Sequence, residues 1–262
     1  MSFGKWLGAS LGWSFGGPIG AIIGLALGSI IDAVADGSSR PFLGEGESRQ
    51  RPKGQYRKMP NYDTQTKPKT QSGDFEVSLL ILASLVIKAD GNQDQRELDF
   101  VRQQFVNMYG KERANHAFTL FKKIGQQNIS TRQVCLQIRN MMDHPSRLQL
   151  LHFLFGIAKA DSIVIENEVK QIFTISGYLG ISSRDYESIK AMFYNSKDNA
   201  YKILEIEKTA SIDDIKAAYR KMAKKYHPDK VIHLGEEHQK GAEEKFRQVQ
   251  EAYEQLQKER GF

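Results

Sequence analysis

Cysteine is almost missing from this 262-residue chain: Cys135 stands alone. A single thiol cannot close a disulfide within the chain or build a cysteine-ligated zinc site, so both scaffolds are excluded and a reducing compartment fits best. Proline is also sparse, with seven residues, four of them (Pro41, Pro52, Pro60, Pro68) between positions 37 and 73. From Asp74 onward there is no convincing two-residue alternation of apolar and polar side chains, which removes the usual signature of half-buried strands. Charge is absent altogether between Lys5 and Asp32, leaving Trp6 to Ile31 as 26 uncharged, mostly apolar or small residues.

About 20 helical residues cross a bilayer, so this run is long enough to span one. A cleaved signal peptide competes, but its apolar centre is usually shorter and follows a stronger positive start than one lysine. We read residues 1–36 as an uncleaved membrane anchor. Glycines recur within it at every fourth position from Gly4 to Gly28. That spacing leaves a bare groove on one helix face, centred on Gly12, Gly16, Gly20 and Gly24, along which a second copy can approach to form a homodimer. The competing explanation is that small residues are simply common in membrane helices.

The formal net charge of +6 invites a nucleic-acid reading, because clustered Lys and Arg neutralise phosphates. Its distribution argues otherwise. Residues 37–73 hold eight Lys/Arg against three Asp/Glu, with no Ile or Val; such a segment cannot form a core and reads as a flexible basic linker. Beside an anchor with one lysine on its far side, those charges place the bulk of the chain in the cytoplasm by the positive-inside rule. The expectation is a single-pass protein of the inner (plasma) membrane without a nucleic-acid partner. The linker either touches anionic headgroups or is merely solvated.

Residues 74–194 show helical periodicity: Phe75, Leu79, Leu82 and Val86 share one face, as do Leu98, Val101, Phe105 and Met108. Further helices are expected at about 111–124, 131–142, 146–160, 166–176 and 183–194. Their starts are marked by Ser130, by Pro145 in a first turn, and by a Ser182-x-x-Asp185 capping box. This is an all-α bundle with an internal repeat. Lys88-Ala89-Asp90-Gly91 with Glu97 returns 71 positions later as Lys159-Ala160-Asp161-Ser162 with Glu168. The pairs Asp90/Glu97 and Asp161/Glu168 are candidate ligands for a divalent cation. Capping explains the same residues, since Asp94-x-x-Glu97 is itself a capping-box pattern. The run from Asp90 is not an EF-hand, because Gln95 and Val101 stand where that loop needs glycine and glutamate. On Ala89-Asp90-Gly91…Glu97 and Ala160-Asp161…Glu168, this segment resembles the TerB (tellurite-resistance B) family, which implies an all-helical domain built from two related halves.

Residues 195–262 carry the sharpest pattern. A short helix at Asn199 to Leu204 precedes one opened by Ser211-x-x-Asp214, on which Ile215, Tyr219, Met222 and Tyr226 share a face. Lys216, Arg220, Lys221, Lys224 and Lys225 cover the remainder, without an acidic residue before His227. Pro228 then ends the helix at a His227-Pro228-Asp229 corner. After a loop from Val231 to Gly241, a third helix from about Ala242 to Lys258 presents Phe246, Val249, Tyr253 and Leu256. The motifs A-Y-x-I-L, I-K-x-A-Y-R-K-M-A, Y-H-P-D-K and K-F-x-x-V-x-x-A-Y-x-x-L, at Ala200, Ile215, Tyr226 and Lys245, resemble the J domain of DnaJ-type co-chaperones. The whole layout of anchor, linker, TerB-like bundle and J domain is similar to the DjlA type of membrane-anchored DnaJ-like protein.

That resemblance implies a DnaK-type heat-shock chaperone as partner and stimulation of its ATPase. His227, Pro228 and Asp229 would form the contact, and the five basic residues from Lys216 to Lys225 would steer the approach. A nucleophile, a pocket motif and a phosphate-binding glycine loop are lacking from this segment, so no enzyme activity and no cofactor are expected, the divalent cation at the bundle apart. The alternative is a metal-binding or envelope-stress protein centred on the TerB-like bundle, with the J domain as accessory.

Overall fold

A computed structural model of the chain describes residues 17, 19–24, 72–89, 95–160, 166–194 and 198–262, and every regular element among them is helical. Most of the expected anchor and linker, including Gly12 and Gly16, falls outside the described residues. So do Asp90 and Asp161. Residues 19–24 are helical. Ile19 and Ile22 are buried there, and the Ile19 N–H donates to Gln137 Oε1 at 2.8 Å. Among the described residues no helix is long and apolar enough to cross a membrane.

The bundle is organised around α1 (Ser72–Ile87) and α4 (His144–Ala158). Leu79, Leu80, Ile81, Leu82 and Ala83 on α1, and Leu148, Leu150, Leu151, Leu154 and Phe155 on α4, are all buried. A helix apolar on every side has to be covered on every side. The cover comes from α2 (Gln95–Gly125), α3 (Thr131–Met141), α5 (Glu166–Tyr178) and α6 (Ser183–Ala191), which pack on these two and on one another. The two helices expected between Leu98 and 124 run into one another as α2, with non-helical backbone at Gly110 (φ 78°, ψ 165°) marking the joint. Only glycine adopts such angles without strain. Cys135 lies fully inside the core, where burial pushes its thiol pKa up to about 12 and leaves it unreactive.

Helix starts follow the local chemistry. Ser130 caps α3 by accepting from Gln133 N, and Asp143 caps α4 by accepting from Ser146 N at 2.9 Å, with Pro145 in the first turn. At α6, Ser182 Oγ accepts from Asp185 N at 3.2 Å.

The C-terminal part comprises α7 (Asn199–Ile203), α8 (Ile212–Lys225), a 3₁₀ helix (Pro228–Leu234) and α9 (Glu236–Arg260). Both halves of the Ser211/Asp214 capping box are present at the start of α8. Helices α8 and α9 run antiparallel, since Tyr219 stacks on Tyr253 at 4.2 Å while, further along, His227 meets Phe246 at 5.6 Å. Ile215, Met222, Val249 and Leu256 seal the seam between them. The expected loop from Val231 to Gly241 is a correction: it is mostly helical, and α9 begins at Glu236, ahead of Ala242. The turn between its two pieces is Gly235 (φ 105°).

This added helical length forms part of the contact between the two halves of the molecule, beside the packing of α6 on α7. The 3₁₀ helix and α9 pack on α4, α1 and α2. His238 is buried edge-on against Phe75 at 4.5 Å. Gly241 crosses α4 so closely that a Cβ there would lie 2.3 Å from Gln149 Nε2.

Candidate functional site

The exposed corner between α8 and the 3₁₀ helix is built by three consecutive residues. Tyr226 closes α8, its N–H donating to Met222 O at 2.9 Å, with its ring buried beneath the corner. Pro228 opens the 3₁₀ helix, which needs no N–H there and gains from a fixed φ. His227 caps that helix: its Nδ1 accepts from the Asp229 N–H at 3.3 Å, which places the imidazole proton of this tautomer on Nε2. The ring rests edge-on against Phe246. Asp229 therefore has a fixed backbone and an exposed carboxylate, its side chain 79% exposed and 3.4 Å from His227 Nδ1. A carboxylate held this way is suited to a two-toothed bond with a guanidinium.

The basic residues of α8 do not form one uniform face. Arg220 and Lys224 are exposed. Lys216 is half-buried, its Nζ 5.4 Å from the Phe262 ring centroid. Lys221 bonds Glu205 at 3.0 Å, although its side chain remains 63% exposed. Lys225 is different in kind. Only 19% exposed, it is shared between the buried carboxylates of Glu205, on its own half, and Asp185, at the start of α6 in the bundle. It braces the two halves of the molecule and turns only a minor part of its side chain to solvent.

Asp185 is the hub of that brace. Its carboxylate also takes bonds from His144 Nε2 at 3.2 Å and Ser182 Oγ at 2.9 Å. Burial alone would raise its pKa, but the His144, Lys225 and Ser182 bonds outweigh burial and hold it well below the usual carboxylate range. On the other side of the corner, His233 of the 3₁₀ helix meets Ser146 Oγ at 3.2 Å and Asp143 Oδ2 at 3.5 Å, both at the cap of α4.

A second buried lysine lies deeper in the same interface. Lys245 on α9 is 2% exposed and has no ion pair among the described residues. Its Nζ sits 5.7 Å from the Tyr226 ring centroid, and burial lowers its pKa to about 7. Next to it, burial and the charge of Lys245 together keep His152 well below its ordinary pKa, and so neutral.

The acidic repeat is only partly in view. Glu97 and Glu168 each stand third in their helices, α2 and α5, and both are buried; neither residue is without a partner. Their expected mates Asp90 and Asp161 lie outside the described residues. Among the described residues no three His, Cys, Asp or Glu side chains gather as a metal site would require. Of the glycine face, Gly20 and Gly24 fall in the helical stretch and are half-buried.

Comparison with known proteins assigns each region. A model of the DnaJ domain matches residues 199–261, one of the tellurite resistance protein TerB matches 76–191, and one of the co-chaperone DjlA transmembrane domain matches 1–50. Among curated relatives, the chaperone protein DnaJ of Fusobacterium nucleatum subsp. nucleatum is 51% identical over 61 residues, covering 23% of this chain and 16% of that one. The chaperone protein DnaJ of Lactococcus lactis subsp. lactis is 59% identical over 56 residues, covering 21% and 13%. The chain thus spans less than a fifth of the length of the curated relatives it matches. No solved structure matches it. The DjlA transmembrane domain, TerB and DnaJ domain matches, in that order along one chain, match a DjlA-type co-chaperone.

Proposed function

We propose that the chain is a membrane-anchored co-chaperone that docks on a DnaK-type chaperone through its His227-Pro228-Asp229 corner and stimulates ATP hydrolysis there, with no catalytic chemistry of its own. The observation that carries this reading is the state of Asp229: a largely exposed carboxylate on a backbone that His227 and Pro228 immobilise. The corner can deliver a fixed negative charge to an arginine of the partner while spending little conformational entropy on binding. Around it, Arg220, Lys221 and Lys224 provide positive charge that speeds and orients the approach to an acidic ATPase surface. His227 acts through Asp229, as a positioning residue. The N-terminal segment keeps this activity at the inner membrane, and glycine-face pairing would raise the local concentration of J domains.

The test is steady-state ATP hydrolysis by a DnaK-type chaperone titrated with the full chain in detergent, against its His227→Gln variant. Wild type is expected to raise the rate, and the variant to lose most of that rise, because glutamine does not reproduce the imidazole cap on the Asp229 N–H. Equal stimulation by both, or none by either, contradicts the proposal.

A further inference from the structure

Between the two halves of the molecule, directly beside the corner, lies a groove of about 520 Å³ that no motif in the sequence foreshadows. Its floor is acidic but internally neutralised: Asp185 and Glu205 are both buried and both held by Lys225, with further bonds from His144 and Lys221. Its rim is basic and uncompensated. Arg184, on the first turn of α6, together with Lys224 and Lys230, lines the groove. All three are exposed and none has an ion pair among the described residues. Lys224 and Lys230 also line the adjoining concavity that contains His227 and Asp229. One continuous positive surface therefore runs from the corner, through two lysines of the J domain, onto an arginine of the bundle.

We infer that the bundle supplies part of the docking surface: Arg184 extends the basic rim beyond the J domain and receives an acidic segment of the same DnaK-type chaperone that Asp229 engages. The inference rests on the docking reading given above. Charge complementarity selects the occupant, because a rim of three unpaired cations around a floor with no spare negative charge favours an anionic partner and repels a basic one. Sharing Lys224 and Lys230 with the corner ties that occupant to the protein already docked there. It also gives the bundle a role in which its position against the J domain, fixed by Lys225 and Asp185, matters for partner affinity.

The experiment titrates the full chain in neutral detergent against a fixed amount of DnaK-type chaperone and reads the half-maximal concentration and plateau of ATPase stimulation. Variants are Arg184→Glu, Arg184→Lys and Asp229→Asn. Arg184→Glu is expected to raise the half-maximal concentration roughly 3–10-fold at low salt while leaving the plateau intact, as rim charges act on approach and orientation. That difference should shrink as salt screens it, and Arg184→Lys should stay close to wild type. An unchanged half-maximal concentration in Arg184→Glu, or a reduced plateau without a shift, overturns the bundle's part in docking. Asp229→Asn separates this from the underlying reading: full stimulation by that variant removes the docking reading itself, whereas its loss of stimulation beside an unaffected Arg184→Glu removes only the bundle's contribution.

Discussion

Replacing Lys225 by methionine is expected to destabilise the chain by about 3 kcal/mol, the low end of what losing one partner of a buried ion pair costs. For a folded part of this size that is a fall in Tm of roughly 10 °C. The reason lies in what remains. Asp185 and Glu205 are buried, their side chains 7% and 4% exposed, and Lys225 touches both. Without it Asp185 keeps His144 and Ser182, and Glu205 keeps Lys221, which is why the cost does not reach the top of the range. Because the penalty comes from orphaned carboxylates, adding Glu205→Gln to Lys225→Met should recover part of it, a non-additivity that a double-mutant cycle measures directly. The sign of the acid dependence follows as well. Asp185 has a depressed pKa in the fold, so its stabilising contribution is complete above the ordinary carboxylate pKa and is lost as pH falls towards the folded value. Thermal melts between pH 3 and 7 should show a shallower acid dependence in Lys225→Met than in wild type. An unchanged Tm at pH 7 would contradict the brace.

The same substitution at Lys245, twenty residues further on, is expected to have the opposite sign. Lys245 is buried like a core residue, but the structure gives it an aromatic face and, among the described residues, no carboxylate. Its pKa of about 7 in the fold lies well below the ordinary ~10.4 of an unfolded lysine. Between those two values the unfolded chain holds a proton that the folded chain has released, so this residue makes stability rise with pH from about 7 to 10, by at most about 1.4 kcal/mol per pH unit. Below pH 7 both states are protonated, and the full penalty of a buried charge is present. Lys245→Met removes that penalty and keeps most of the packing volume. It should stabilise the chain on the order of 2–4 kcal/mol at pH 7. Denaturant titrations at pH 6.5, 8 and 9.5 check both parts: the variant should exceed wild type by most at the lowest pH, with the gap closing as pH rises. A variant less stable than wild type at pH 6.5 would show that Lys245 has a compensating partner.

These two lysines also mark how far the sequence could be read. Helix positions were legible because α1 and α4 are long, densely apolar runs, and because Ser130, Ser182 and Ser211 cap helices through bonds to residues only three positions away. The His227-Pro228-Asp229 corner was legible for the same reason, since its geometry is set by neighbours in sequence. What stayed hidden is the contact between the halves. Asp185 satisfies a local capping pattern, and nothing in that pattern reveals that its carboxylate is used by Lys225, forty residues away. Lys225 in turn is spaced like any solvent-facing lysine of an amphipathic helix. The polar stretch before Ala242 has no apolar periodicity to betray a helix, yet it is helical because Gly241 and His238 fit against Gln149 and Phe75. Buried polar residues such as Lys245 and His238 leave no hydrophobic signature, and tertiary packing decides their fate.

Lys225 bears on function because it ties the helix that ends at the corner to the bundle, but the central claim concerns what the corner does. The most direct measurement is single-turnover hydrolysis of ATP already bound to a DnaK-type chaperone, mixed with the full chain in detergent. Wild type should accelerate the chemical step about tenfold or more, equivalent to removing at least about 1.4 kcal/mol from the barrier. Asp229→Asn, which keeps the fold and the His227 cap but loses the charge, should leave the rate at its basal value. Equal acceleration by Asp229→Asn and wild type, or no acceleration by wild type, would contradict the account.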